Sequence, residues 1–174
     1  MDTTTLVRTI ATADPDEVPE VLAAALAGPG DWLDEQYLRR PADRDWMLYP
    51  LYRAADGRRS LVIAVFRPGA EAPIHDHGSW AAIGIYRGRE RETWYRMNAE
   101  ERLERVRSFV NGTGAVSVIP DGVIHTVRAL DDTDAISIHV YGTDIVTQER
   151  NMFDPHTHRA SRYLPPFTET TSKH

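Results

Sequence analysis

The chain has 174 residues, 41% of them hydrophobic, and 20 Lys and Arg against 26 Asp and Glu give a formal net charge of −6. That length suits a single core of domain size, and the acidic balance argues against a phosphate-backbone partner, so no nucleic acid is expected. The absence of Cys removes disulfides, thiolate nucleophiles and thiolate metal sites together, leaving His, carboxylates and carbonyls for any metal.

No apolar run of about 18 residues reads as a membrane span. No basic-then-apolar leader is visible at the N-terminus, so the expected location is cytoplasmic. The first third predicts helices. Asp14 reads as an N-cap with Pro15 at the first helical position, and Val18, Val21, Leu22, Ala25 and Leu26 share one face before Gly28-Pro29-Gly30 ends the segment. A second short helix is predicted over Trp32–Arg39, ahead of Pro41.

From Trp46 the pattern changes to strands. Trp46–Arg53 and Ser60–Arg67 flank the turn pair Asp56-Gly57, and Trp80–Arg87, Arg89–Met97, Glu101–Val110, Ala115–Ile119, Ile124–Leu130 and Ala135–Tyr141 follow at short spacing. Such a series indicates a sandwich or barrel. The expected organisation is a helical segment over residues 1–45 packed on a β-barrel over 46–163, with a loose tail over 164–174. Trp94 and Tyr95 read as packing residues, and Trp80 as either a pocket wall or core. His156 and His158, after Asp154-Pro155, read as solvated or capping residues of a loop.

Two stretches carry chemistry. In Gly69-Ala-Glu-Ala-Pro-Ile-His75-Asp-His77, the period of two puts both imidazoles on one strand face. The second reads Gly114-Ala-Val-Ser-Val-Ile-Pro120-Asp-Gly122-Val-Ile-His125. With Gly88 closing the first, they resemble the two motifs of the cupin superfamily in sequence and spacing. The resemblance implies a mostly β fold, a double-stranded β-helix (jelly-roll) barrel with N-terminal α-helices, and His75, His77 and His125 as metal ligands. Many cupins carry a Glu ligand a few residues after His-x-His, but Gly78-Ser79-Trp80-Ala81-Ala82 stands there. The implied ion keeps three neutral ligands and its full charge, unlike the two-His-one-carboxylate iron sites.

Over residues 46–153 the pattern, with His75-Asp76-His77-Gly78 in front, further resembles the thiol dioxygenases. Ser137, His139 and Tyr141 alternate on one predicted strand and so share a face, with Ile136, Ile138 and Val140 on the other. They match the Ser-His-Tyr relay of that family. The resemblance implies an iron(II) enzyme that oxidises a small thiol carboxylate, 3-mercaptopropionate or cysteine, to its sulfinate with O2. For the substrate carboxylate it offers two residues: Arg150, nine residues past Tyr141, and Arg53 on an early strand. Two alternatives stand beside it: another three-His cupin oxygenase acting on a non-thiol substrate, and a cupin that binds a metal or small molecule without catalysis. The sequence is silent on oligomeric state.

Overall fold

The computed structural model describes residues 1–28 and 30–167. Two α-helices open the chain, α1 at Thr3–Thr12 and α2 at Val18–Leu26. The first lies within the expected helical segment of residues 1–45 but ahead of the two helices its pattern names. Its Thr-rich, β-branched segment has weak helix propensity. Docking decides instead: Leu6 and Ile10 are buried on the core side, and the Asp2 carboxylate caps the start by accepting from the Thr5 amide at 2.7 Å. The second helix begins later than Asp14 predicts. Asp14 donates its amide to the Glu17 carboxylate at 3.0 Å, so residues 14–17 form a turn and Glu17 stands at the helix start. The expected Trp32–Arg39 helix shrinks to one 3₁₀ turn at Glu35–Leu38.

Among the described residues eleven strands follow: β1 Trp46–Arg53, β2 Ser60–Phe66, β3 Ile74–His75, β4 Ala81–Arg87, β5 Arg89–Met97, β6 Leu103–Gly112, β7 Val116–Ile119, β8 Ile124–Ala129, β9 Ala135–Tyr141, β10 Arg150–Phe153 and β11 Ala160–Tyr163. They form two antiparallel sheets, in the orders β1-β2-β9-β4-β7 and β11-β10-β3-β8-β5-β6. This is the jelly-roll barrel with N-terminal helices that the sequence predicts. The strands absent from the sequence reading are β10 and β11, each of four residues.

Side-chain parity explains why the inner strands β2, β9 and β4 of the first sheet are buried on both faces. On β2, Leu61, Ile63 and Val65 join the helices in one cluster, as do Ile136, Ile138 and Val140 of β9. The alternate residues of β2, Val62, Ala64 and Phe66, face the barrel interior. Burying each large aliphatic side chain contributes roughly 1.5–3 kcal/mol, so the helical layer fixes the orientation of β9 and with it the polar row on its inner face. Gly84 of β4 permits the close approach of α2, because a Cβ there would lie 2.7 Å from the Leu26 Cδ1.

The residues from 164 depart from the expected loose tail. Pro165 lines the interior cavity, and Phe167 packs with the cluster containing Tyr141. Residues 168–174 lie outside the described residues. No helix among the described residues is long and apolar enough to cross a membrane.

Candidate metal centre and active site

Three histidines meet inside the barrel. His75 ends β3, where its partner in register across the sheet is His125 of β8. The strand stops at His75, so His77 is not on the regular strand face that the sequence predicts; it arrives from the extended residues just beyond. The rings nonetheless converge. The Nε2 atoms of His75 and His77 are 3.2 Å apart, and those of His77 and His125 are 3.1 Å apart.

The backs of the rings decide what this convergence means. His75 Nδ1 faces the Pro73 carbonyl at 2.8 Å, and His125 Nδ1 faces the Glu92 carboxylate at 3.1 Å. Both partners only accept, so both rings carry their proton on Nδ1 and present an Nε2 lone pair to the centre. Burial, with the neighbouring positive groups, holds His75 and His77 well below the ordinary histidine pKa, so these rings stay neutral. Lone pairs directed at one point from buried neutral imidazoles repel each other unless a cation sits between them. The donor set therefore fits one divalent metal ion.

Glu92 supplies the anion that the ligand set lacks, one step further out. It is 1% exposed and accepts from His125 Nδ1, from Trp94 Nε1 at 2.6 Å and from the Ser117 hydroxyl at 2.8 Å. Burial pushes its pKa up, but the His125 bond and the other donors outweigh it and leave the carboxyl below its ordinary value. An ionised carboxylate behind a ligating imidazole fixes the tautomer and raises ligand basicity.

The inner face of β9 carries the expected row. Ser137 Oγ lies 2.8 Å from His139 Nε2, and His139 Nδ1 lies 2.9 Å from the Tyr141 hydroxyl. Burial drives the His139 pKa down to about 3, so it works as a neutral imidazole. The Tyr141 ring stacks edge-on against His77 with centroids 5.0 Å apart, which puts the open end of the row beside the metal ligands. Burial also raises the Tyr141 pKa, so its hydroxyl keeps its proton.

Arg150 completes the cavity. It lines the same space of about 50 Å³ as His75, His77, His125, His139 and Tyr141. Only 3% of the residue is exposed, and its Nε and Nη2 are buried without a hydrogen-bond partner. Burial lowers its pKa, while Tyr141, Tyr163 and Asp76 pull the other way. The strand that carries it is fastened to the metal loop: Asn151 donates its amide and its side-chain N–H₂ to the Asp76 carboxylate at 2.9 and 2.7 Å. Met152 pairs with His75 in register.

Arg53 is not brought to this cavity. Its Nε and Nη2 bind the two oxygens of Asp144 at 2.8 and 2.6 Å, a bidentate pair with both side chains largely buried. Asp144 sits in the loop between β9 and β10, so Arg53 ties that loop to β1 and its donors are already used. Trp80 packs with the helix-side cluster rather than the cavity wall. Trp94 is more than a packing residue, since it donates to Glu92 and lies under the Arg107 guanidinium at 3.6 Å from its ring centroid. His156 and His158 lie in the β10–β11 turn, where Asp154 accepts from the His156 amide.

Glu90, Glu92 and Asp76 are the site residues that sequence reasoning misses. A signal exists for the first two. In Arg89-Glu90-Arg91-Glu92 the period of two gathers both carboxylates on one face and both guanidinium groups on the other. A run of charges reads as a solvated strand, yet both Glu are 1% exposed.

No family model matches the chain. Among solved structures, a cupin superfamily protein from Desulfitobacterium hafniense aligns with TM-score 0.51 at 11% identity, over 67% of this chain and 94% of that one. Oxalate oxidase in complex with the substrate analogue glycolate aligns with TM-score 0.52 at 17% identity, over 68% of this chain. The chain spans 62% of that oxidase's length. A conserved Streptococcus pyogenes protein of unknown function aligns with TM-score 0.50 at 16% identity, over 67% and 90% of the two chains. This likeness establishes the fold: the chain is a cupin-fold barrel, and its interior holds three histidines able to bind a metal ion.

Proposed function

We propose that the chain is an iron(II)-dependent thiol dioxygenase that converts a small thiol carboxylate to its sulfinate with O2. The observation that carries this reading is the pairing of Arg150 with the three histidines. One cavity of about 50 Å³ has convergent imidazoles and a buried guanidinium with two unused donors. A short molecule with a metal-seeking atom at one end and a carboxylate at the other matches that pair. The carboxylate would accept two parallel N–H bonds from Arg150, which fixes orientation as well as position. The three histidines would hold the iron, which supplies the redox chemistry between O2 and a thiolate sulfur.

The protein's own groups do the rest. Trp46, Leu48, Phe66 and Val127 line the cavity and keep water scarce, which strengthens every polar contact inside it. Tyr141 places a hydroxyl beside the metal ligands, held by His139, itself held by Ser137. That row can give or take a proton at the Tyr141 oxygen as the substrate sulfhydryl loses its own. No Asp or Glu lines the cavity among the described residues. An α-ammonium group would find no anion there beside Arg150 and a divalent ion, which favours 3-mercaptopropionate over cysteine.

A second reading is another three-His oxygenase acting on a small anion without sulfur. Arg150 supports it as well, since a guanidinium recognises any carboxylate. An oxygen electrode separates the two. Iron-loaded protein is expected to consume one O2 per sulfinate formed from 3-mercaptopropionate, with the sulfinate identified by mass. Oxygen uptake with thiol-free carboxylates and none with thiols would overturn the thiol reading.

A further inference from the structure

The Ser137–His139–Tyr141 row does not end at Ser137. Glu90 of β5 faces it across the barrel from the opposite sheet. The residue is 1% exposed, and no hydrogen bond of good geometry reaches either carboxylate oxygen. The Ser137 hydroxyl is close enough to pull its pKa down, and Glu90 in turn acts electrostatically on Tyr141. We propose that Glu90 is the inner terminus of the row, and that the presence or absence of its proton sets which way the three hydrogen bonds run. Glu90 is thus a positioning residue that decides whether Tyr141 donates into the cavity.

The donors and acceptors of the row permit two arrangements. An ionised Glu90 can only accept, so Ser137 donates to it. His139 then donates from Nε2 to Ser137 Oγ, its Nδ1 carries a lone pair, and the Tyr141 O–H is spent on that lone pair. A protonated Glu90 donates to Ser137, which donates to His139 Nε2. The His139 proton now sits on Nδ1 and is donated to the Tyr141 oxygen, and the Tyr141 O–H is free to point at the cavity. His139 is neutral in both arrangements, in keeping with a pKa of about 3. Only its tautomer changes.

Moving between the two states transfers one proton. Tyr141 gives its proton to His139 Nδ1 and takes one from a donor in the cavity. The Nε2 proton of His139 passes to Ser137, and the Ser137 proton passes to Glu90. In the proposed function, on which this consequence rests, that donor is the substrate S–H, which becomes a thiolate as Glu90 becomes a neutral acid.

The surroundings allow Glu90 to exchange a proton near neutrality. Burial, the largest effect, and the adjacent Glu92 raise its pKa from 4.5 to about 7, against the pull of Ser137. The charged or titratable groups that act on it are Glu92 from its own strand and, across the barrel, Tyr141 of β9. At its register, β6 and β8 present Asn111 and Ala129, neither of which titrates.

The test reads the His139 tautomer directly and needs neither iron nor thiol. Protein carrying ¹⁵N-labelled histidine is titrated across neutrality by NMR, both metal-free and with diamagnetic Zn(II) added. His139 is expected to change from the Nδ1–H to the Nε2–H form as pH rises, with a midpoint near 7. In Glu90→Gln the tautomer should be the same at every pH, because the amide does not titrate. Ser137→Ala, which cuts the link and leaves Glu90 in place, should abolish the change as well. A wild-type tautomer that ignores pH, or a transition that survives in either variant, would overturn the proposal. Failure of the thiol reading would appear only in the oxygen electrode and leave this result standing.

Discussion

Arg150 should cost the fold stability while serving the site, and one substitution can show both. Its Nε and Nη2 are buried without partners and only 3% of the residue is exposed. Each such orphaned donor carries a penalty of about 1–3 kcal/mol, larger on a charged group. In Arg150→Met the thioether fills the space of the aliphatic stem and removes the buried charge. Replacing buried charge with a well-packed apolar side chain typically stabilises by about 1–4 kcal/mol. At roughly 2–4 °C per kcal/mol for a chain of this size, the melting temperature should rise by roughly 2–16 °C. The same change removes the carboxylate's partner, at a cost on the order of 2–5 kcal/mol in binding. For 3-mercaptopropionate kcat/KM should therefore fall tenfold or more, since each 1.4 kcal/mol or so is a factor of ten. 2-Mercaptoethanol has no carboxylate to lose and should be affected far less. Thermal melts and oxygen-electrode kinetics on the iron-loaded variant provide both readouts. A lowered melting temperature would show that Arg150 is paired in ways that hold the fold. An equal fall for both thiols would remove it from substrate recognition.

Further expectations concern the neighbours of that cavity. His125→Ala removes one of three ligands, and metal content after dialysis should drop to background; full occupancy would sink the ligand assignment. Tyr141→Phe keeps the ring against His77 and deletes one hydroxyl, so metal should stay bound while turnover slows by roughly 10- to 100-fold, the worth of one strong hydrogen bond; unchanged kcat across pH would exclude a catalytic hydroxyl. Glu90→Gln should alter the pH dependence of stability. Folding raises the Glu90 pKa from 4.5 to about 7, so its contribution is fully present below 4.5 and is lost as pH rises through about 7. On the alkaline side the variant should exceed wild type by an amount on the order of 3 kcal/mol, and the two should converge in mild acid. Parallel stability curves in denaturant titrations would refute that carboxylate's perturbation.

The metal ligands and the relay are legible in the sequence because both rest on local spacing. Pro120, Gly122 and His125 lie within six residues, and Ser137, His139 and Tyr141 follow the period of a strand that tertiary packing leaves regular. Arg150 could be named but not placed, because the turn after Tyr141 breaks the parity that would give its direction. Arg53 and Arg150 look alike in sequence; Asp144, 91 residues from Arg53, distinguishes them by occupying one and not the other. Such long-range pairing has no local signature. Helix α1 illustrates the same limit, since its Thr-rich composition opposes helix formation and the burial of Leu6 and Ile10, with the Asp2 cap, stabilises it. Glu90 and Glu92 misled for a different reason: the alternation was visible, but burial of a carboxylate depends on partners contributed by β7, β8 and β9.

Charge balance inside the barrel ties these residues to a substrate class. Three neutral imidazoles would leave a bound divalent ion with its full charge, and Arg150 adds one more positive charge in the same cavity. Glu92, held ionised by His125, Trp94 and Ser117, offsets one of them. With Glu90 protonated, the interior then carries an excess of two positive charges in a space lined mostly by apolar side chains, where an uncompensated charge is expensive. A thiolate carboxylate brings two negative charges, one at each end, to the two places where the excess lies. In the proposed function Glu90 enters its protonated state by taking the sulfhydryl proton through the row that ends at Tyr141, so the total charge is the same before and after the transfer. Cysteine would add an ammonium that the cavity lining has no anion to meet. The charge pattern therefore suits a small acid without an amino group, and it does so from the placement of Glu92 and Arg150.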